Sequence, residues 1–213
     1  MNARVCIATL LSLVIAFASG TSCCFAAEAQ ADVKGKLTEM GIADQAIRKK
    51  LGPFLVSGKF QTEEFKDVAK EMAAIDARNL AELKQIINLH GWPDARIVGV
   101  DAGNSAFLIL QHSPLTAQKE YLPMFREAVS AGKARGVDLA MLEDRILNGD
   151  GKPQRFGTQV SAGPDGKPRV NPVEDPKNLD SRRKALGMPP IKEYLDRLEA
   201  DIGRSIDRSA LTD

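Results

Sequence analysis

This chain carries two imidazoles, His90 and His112, and they are the first candidates for proton chemistry. An unperturbed histidine titrates near ~6.5, so it can act as general acid or base at neutral pH. His112 follows Gln111 at the end of Ala106-Phe107-Leu108-Ile109-Leu110, the most apolar segment of the chain. Gln118 falls on the helical side that Leu122, Phe125 and Val129 define. Further on, Glu143-Asp144-Arg145 lies between the apolar Leu142 and Ile146, and Gln154-Arg155-Phe156-Gly157-Thr158-Gln159 supplies amides, a hydroxyl and a flexible glycine. Gathered around one pocket, these residues would suit an acid–base site. His112, Asp144 and Arg145 would be its reacting groups, with Arg145 holding an anion. Gln111, Gln118, Gln154, Thr158 and Gln159 would orient the substrate.

The long helical pattern over residues 62–90 adds two more. Phe65, Val68, Met72, Ile75, Leu83, Ile86 and Ile87 form its apolar stripe, and Asp76, Asn79 and His90 interrupt that stripe. An unpaired buried polar group costs roughly 1–3 kcal/mol, so each needs a partner. The partner is either a substrate, which makes Asp76 and Asn79 binding residues, or another helix, which makes them a structural network. His90, beside Gly91, is also placed to meet the carbonyl end of its own helix.

Composition excludes several classes. The chain has 213 residues, 44% of them hydrophobic, with 29 Lys+Arg against 28 Asp+Glu. That balance argues against a nucleic-acid binder, and aromatics at 5% supply few stacking platforms. There is no phosphate loop, dinucleotide fingerprint or Gly-x-Ser-x-Gly elbow, so no cofactor is expected and a serine esterase of that type is disfavoured. Two histidines with Asp76 or Asp144 would make a two-histidine, one-carboxylate metal set. No local spacing supports it, and no metal site is assigned.

Residues 1–26 have the form of a secretory signal peptide: Arg4, an apolar run over residues 5–17, then small residues up to Ala26. The run falls short of the ~20 residues that span a bilayer, so no membrane span is expected after processing. Cleavage after Ala26 would leave 187 residues, 28 charges of each sign and no cysteine, since Cys6, Cys23 and Cys24 all precede the cut. The expected location is periplasmic or secreted. Cys23-Cys24 raises a lipid-anchored form as the lesser alternative.

Helical periodicity governs the remainder. Helices are expected over residues 28–40, 42–51, 62–90, 104–112, 115–131, 137–147, 180–186 and 190–202. The glycine- and proline-rich stretch after Gly149 predicts a short β-hairpin or loop, with strands over residues 154–161 and 168–173. The expected fold is one mainly α domain with that insertion. It divides into an N-terminal helical segment (27–61), a main body (62–203) and a frayed tail (204–213).

An ordered set of motifs runs through this body: Gly91-Trp92-Pro93, Val98-Gly99, Ala106-Phe107-Leu108 leading into Gln111-His112, and Gln118. Leu142-Glu143-Asp144-Arg145, the segment Gln154 to Gln159, and Arg182-Arg183 with Leu186-Gly187 complete it. From Asp76 to Tyr194 the chain resembles a bacterial family classed only as a domain of unknown function, often found in exported proteins. The resemblance implies a grouping and no reaction. Two functions stay open at this point: a hydrolytic enzyme, or a non-catalytic module that binds a small molecule or cell-envelope component.

Overall fold

The computed structural model describes residues 19–57, 59–163 and 166–212. Residues 1–18 of the expected signal peptide lie outside the described residues. Residues 19–26 form the first turns of helix α1 (Ser19–Lys49), which runs through the two helices expected over residues 28–40 and 42–51. Gly41 does not break it. A Cβ built on Gly41 would stand 2.2 Å from Ser105 Oγ and 2.7 Å from Ser105 Cβ, so this glycine is where α1 crosses helix α5 (Val100–His112) at close range. Gly41→Ala would gain about 1 kcal/mol of helix propensity and lose about 1–3 kcal/mol to overpacking. The clash should win, and a lowered denaturant midpoint with an unchanged m-value is the expected result.

Helix α2 (Gly52–Ser57) begins at the Gly52-Pro53 pair expected only to stop its predecessor. Proline is tolerated in a first turn, where its missing N–H has no helical partner anyway. Helix α3 (Glu63–His90) forms as its sequence predicts. Thr62 Oγ1 accepts from the Phe65 N–H at 3.2 Å, and Glu63 and Glu64 face the positive helix end. Gly91 stops the helix at φ 73°, with its N–H donating to Ile87 O at 2.8 Å. A short helix α4 (Ala95–Val98) follows, capped by Asp94 Oδ1 on the Arg96 N–H at 3.0 Å. Hydrogen bonds from Arg96 hold the Asp94 carboxyl down at about 2.

The apolar run before His112 is helical, since it forms the body of α5. Helices α6 (Leu115–Ser130) and α7 (Gly136–Gly149) complete the main bundle. Leu37 and Met40 of α1, Leu83 and Ile87 of α3, Phe107 and Leu110 of α5, Phe125 of α6 and Leu142 of α7 share one core. Burying each such side chain contributes roughly 1.5–3 kcal/mol. Phe125 lies at the centre, with Trp92 edge-on at 4.6 Å and Phe107 stacked at 5.8 Å between ring centroids.

The insertion is a hairpin of two short strands, β1 (Val160–Ala162) and β2 (Pro168–Val170), antiparallel with Val160 opposite Val170. The strands are shorter than expected: Gln154 pairs instead with Val173 in an isolated parallel bridge. Helices α8 (Leu179–Ala185) and α9 (Ile191–Ile202) follow. The residues after Gly203, expected to fray, instead dock on the hairpin. Val170 N–H donates to Asp207 O and Asp207 N–H to Pro168 O, each at 2.9 Å, while Ile206 packs with Val170 and Leu195. Ala210 and Leu211 pack against the same cluster and help anchor the tail. The molecule is thus mainly helical with one small antiparallel hairpin, and among the described residues no helix is long and apolar enough to cross a membrane.

Candidate functional site

A cluster of charged side chains lies where α1, α3 and the end of α5 meet. Asp44, on the apolar face of α1 between Met40 and Ile47, is only 1% exposed. His112 Nδ1 lies 2.9 Å from Asp44 Oδ1 and 3.1 Å from Oδ2. An ionised carboxylate only accepts, so Nδ1 carries the proton, and Nε2 is the position where the ring gains or gives up its second proton. Among the described residues Nε2 has no hydrogen-bond partner. Gln45 Nε2 donates to Asp44 Oδ2 at 2.8 Å, and Arg48 Nη1 approaches Asp44 Oδ1 at 2.8 Å. Arg48 then reaches across to α3, where Nη2 donates to Asp76 Oδ1 at 2.9 Å and Oδ2 at 3.0 Å. Burial works to raise the Asp44 carboxyl. The hydrogen bond and charge of His112, with Gln45 and Arg48, outweigh it and hold the group below its ordinary range.

His112 and Asp76 line an open cavity of about 560 Å³. Its other walls are Ala73, Ala77, Leu80 and Ala81 of α3, with Lys84, Ser113 and Pro114. The α5–α6 corner beside it is held from within. Gln118 Nε2 donates to Gln111 O at 3.0 Å and Ser113 O at 2.8 Å, so the glutamine closes the carbonyl end of α5. Ser113 Oγ donates to Leu110 O at 2.6 Å and is buried. Two acceptors at this corner, Gln111 Oε1 and Gln118 Oε1, are buried with no hydrogen-bond partner.

Asp144 belongs to a different centre. It is 0% exposed, and its two oxygens accept from the N–H groups of Arg155 (2.7 Å), Phe156 (3.0 Å) and Thr158 (3.0 Å) and from Thr158 Oγ1 (2.9 Å). Burial pushes this carboxyl up, and the four donors pull against it. From the other side Arg183, also 0% exposed, donates Nη1 to Phe156 O and Nε to Pro189 O. Its guanidinium lies over the Tyr194 ring at 5.0 Å. Gln154 completes the loop: its amide donates to Gln159 O (3.0 Å) and Asn171 O (2.8 Å) and accepts from the Gln159 N–H (2.8 Å). Gln159 Nε2 turns inward to Thr158 Oγ1 at 3.0 Å. Asp144, Gln154, Thr158 and Gln159 therefore build and hold the 154–159 loop.

The sequence-derived set thus divides. His112 and Asp76 come together through Arg48, with Gln111 and Gln118 at the adjoining corner. Asn79 stands apart, buried, with Nδ2 on Met40 O at 3.2 Å. His90 lines another cavity, of about 400 Å³, with Trp92, Asp94 and Lys133, so the two histidines do not share a site. Among the described residues no group of three His, Cys, Asp or Glu side chains is placed to hold a metal ion. Arg145 is half-buried on α7 and forms no hydrogen bond or ion pair among the described residues. Burial first, and then the Arg48 charge, lower its pKa, which places it within reach of the Arg48 field.

Sequence reasoning missed Asp44, Arg48 and Arg183. The signal for Asp44 was present: with Leu37, Met40 and Ile47 it follows the same helical stripe that singled out Asp76 and Asn79. Ending a helix at Gly41 hid that stripe.

No curated protein and no solved structure matches this chain. A family model does, over residues 31–207, from within α1 to the tail segment paired with β2. With most of its length matched, the chain belongs to that family of unknown function, DUF6624.

Proposed function

We propose that this protein is an exported hydrolase in which His112 activates water. The observation that carries the proposal is the Asp44–His112 pair: Nδ1 is fixed on a buried carboxylate while Nε2 has no partner among the described residues, beside an open cavity. A water bound at Nε2 would give up a proton to the ring as its oxygen attacks the substrate. The imidazolium, stabilised by Asp44, would then return that proton to the leaving group. Water is the nucleophile in this scheme because Ser113, whose hydroxyl is the one among the cavity-lining side chains, donates Oγ to Leu110 O. Arg48 has a positioning role, tying Asp44 to Asp76.

Export is part of the proposal, resting on the signal-like residues 1–26. A periplasmic or secreted location follows, with a lipid anchor at Cys23 as the lesser form.

The test is a broad panel of ester, amide and phosphoester substrates offered to the processed protein and to His112→Ala. Turnover by the wild type that falls by about 10²–10⁴ in the variant is expected. Saturable binding of panel members without turnover would assign the protein to ligand binding instead.

A further inference from the structure

We infer that the cavity beside His90 binds a small apolar monocarboxylate, with its hydrocarbon part on the Trp92 wall and its carboxylate on Lys133. This site is separate from the His112 cavity and does not depend on the hydrolytic reading.

The floor of this cavity is the outer edge of the main core. Val33 of α1, Ile86 of α3, Trp92 and Val98 all belong to that core, and all four line the cavity. Ile97 lines it as well and is left 55% exposed, an apolar surface that an apolar occupant would cover. The volume of about 400 Å³ is that of a small-molecule site, which typically holds roughly 300–1,000 Å³ within mostly apolar walls and a few polar groups.

Charge decides the polar end of the ligand. Three titratable side chains line the cavity: His90, Asp94 and Lys133. Asp94 is already satisfied. Its Oδ1 accepts from the Arg96 N–H at 3.0 Å and from Arg96 Nε at 2.9 Å, and its Oδ2 accepts from Arg96 Nη2. That pair cancels. Lys133 makes no ion pair among the described residues, and the His90 ring makes no hydrogen bond among them. The Lys133 backbone is fixed, because its N–H donates to Ala128 O at 2.8 Å and its carbonyl accepts from the Ala95 N–H at 3.0 Å. Its charge acts on Asp94, so the ammonium stands near that carboxylate without bonding it. One positive charge is therefore left over at the cavity, with a histidine ring N–H beside it. A carboxylate accepts from both. A cation would be repelled by Lys133, and a second negative charge on the ligand would have only Asp94 to meet.

Trp92 is the chain's single tryptophan, so its fluorescence reads occupancy of this cavity. The test titrates the folded protein with octanoate, octanol and acetate, all below micelle-forming concentrations. Octanoate should saturate the Trp92 signal and bind about tenfold more tightly than octanol, the difference expected of one charge-assisted contact. Acetate, a carboxylate without the apolar part, should give no saturable change. Lys133→Gln should bring octanoate down to the level of octanol and leave octanol itself unchanged, which shows the cavity intact in that variant. Ile97→Asp should weaken octanoate and octanol together. No saturable response to octanoate, octanol binding as tightly as octanoate, or octanoate binding unaffected by Lys133→Gln would overturn the site. His112→Ala should bind octanoate as the wild type does. Loss of octanoate binding in that variant would move the ligand to the His112 cavity and overturn the inference.

Discussion

Asp144→Ala is expected to destabilise the fold by about 3–5 kcal/mol, the largest stability effect of any single change considered for this chain. Three backbone N–H groups and a hydroxyl converge on this one buried carboxylate. Its removal strands those donors, and each buried unsatisfied group costs about 1–3 kcal/mol before relaxation. It also removes one of the two carboxylate charges, those of Asp180 and Asp144, that act on the buried Arg183 guanidinium. The two charges grip the same loop from opposite sides, since Asp144 takes the Phe156 N–H while Arg183 donates to the Phe156 carbonyl. Losing Asp144 therefore leaves Arg183 to hold the loop from one side, with Asp180 its remaining negative neighbour. Denaturant unfolding measures the effect, and limited proteolysis should show cleavage within residues 154–159 in the variant. Asp144→Asn should cost less, because it keeps the volume and one acceptor while turning an NH₂ group towards backbone donors.

Asp44→Asn is expected to reduce turnover by about 10²–10⁴ while the fold survives. The side chain keeps its shape but gains an amide N–H₂. If that group faces His112, it donates to Nδ1, the ring proton moves to Nε2, and the imidazole can no longer take a proton from water. The imidazolium also loses its counter-charge in the transition state. The pH dependence of stability should change as well. The Asp44 carboxyl is depressed in the folded state, so its contribution is present above the ordinary value of ~3.9 and is lost as pH falls through the lowered folded value. Asp44→Asn removes that acid-side loss. Comparing wild-type and variant unfolding between pH 7 and pH 3 should show the two curves converging towards acid.

Much of the architecture is legible in the residues. Thr62 with Glu63 and Glu64, and Gly91 with Pro93 beyond it, mark the ends of α3, because capping chemistry is local. Two elements could not be read that way. Gly41 has the propensity of a breaker, but its role is set by Ser105 of α5, sixty-four positions along the chain. The tail after Gly203 lacks a periodic pattern, and it is ordered by backbone bonds to β2, by Ile206 with Ala210 and Leu211, and by Arg208 on Asp196 and Glu199 of α9.

The site shows the same division. The helical face of α3 identified Asp76, and the end of an apolar segment identified His112; they meet through Asp44 and Arg48. Face analysis cannot say what the partner is. Asp144 satisfied the same criterion as a catalytic acid would, a charge beside buried Leu142 and Ile146, yet its partners are the backbone of a loop eleven to fourteen residues downstream. A buried carboxylate with four donors and one beside an imidazole are indistinguishable in sequence. Only the packing separates them.

The proposed role of His112 Nε2 as the working base is tested most directly by kcat/KM compared between wild type and His112→Ala. The comparison uses the substrate that the panel identifies, with unfolding midpoints recorded on the same samples. A fall of about 10²–10⁴ in kcat/KM in a folded variant is the predicted result. Equal turnover by the two folded proteins would contradict it.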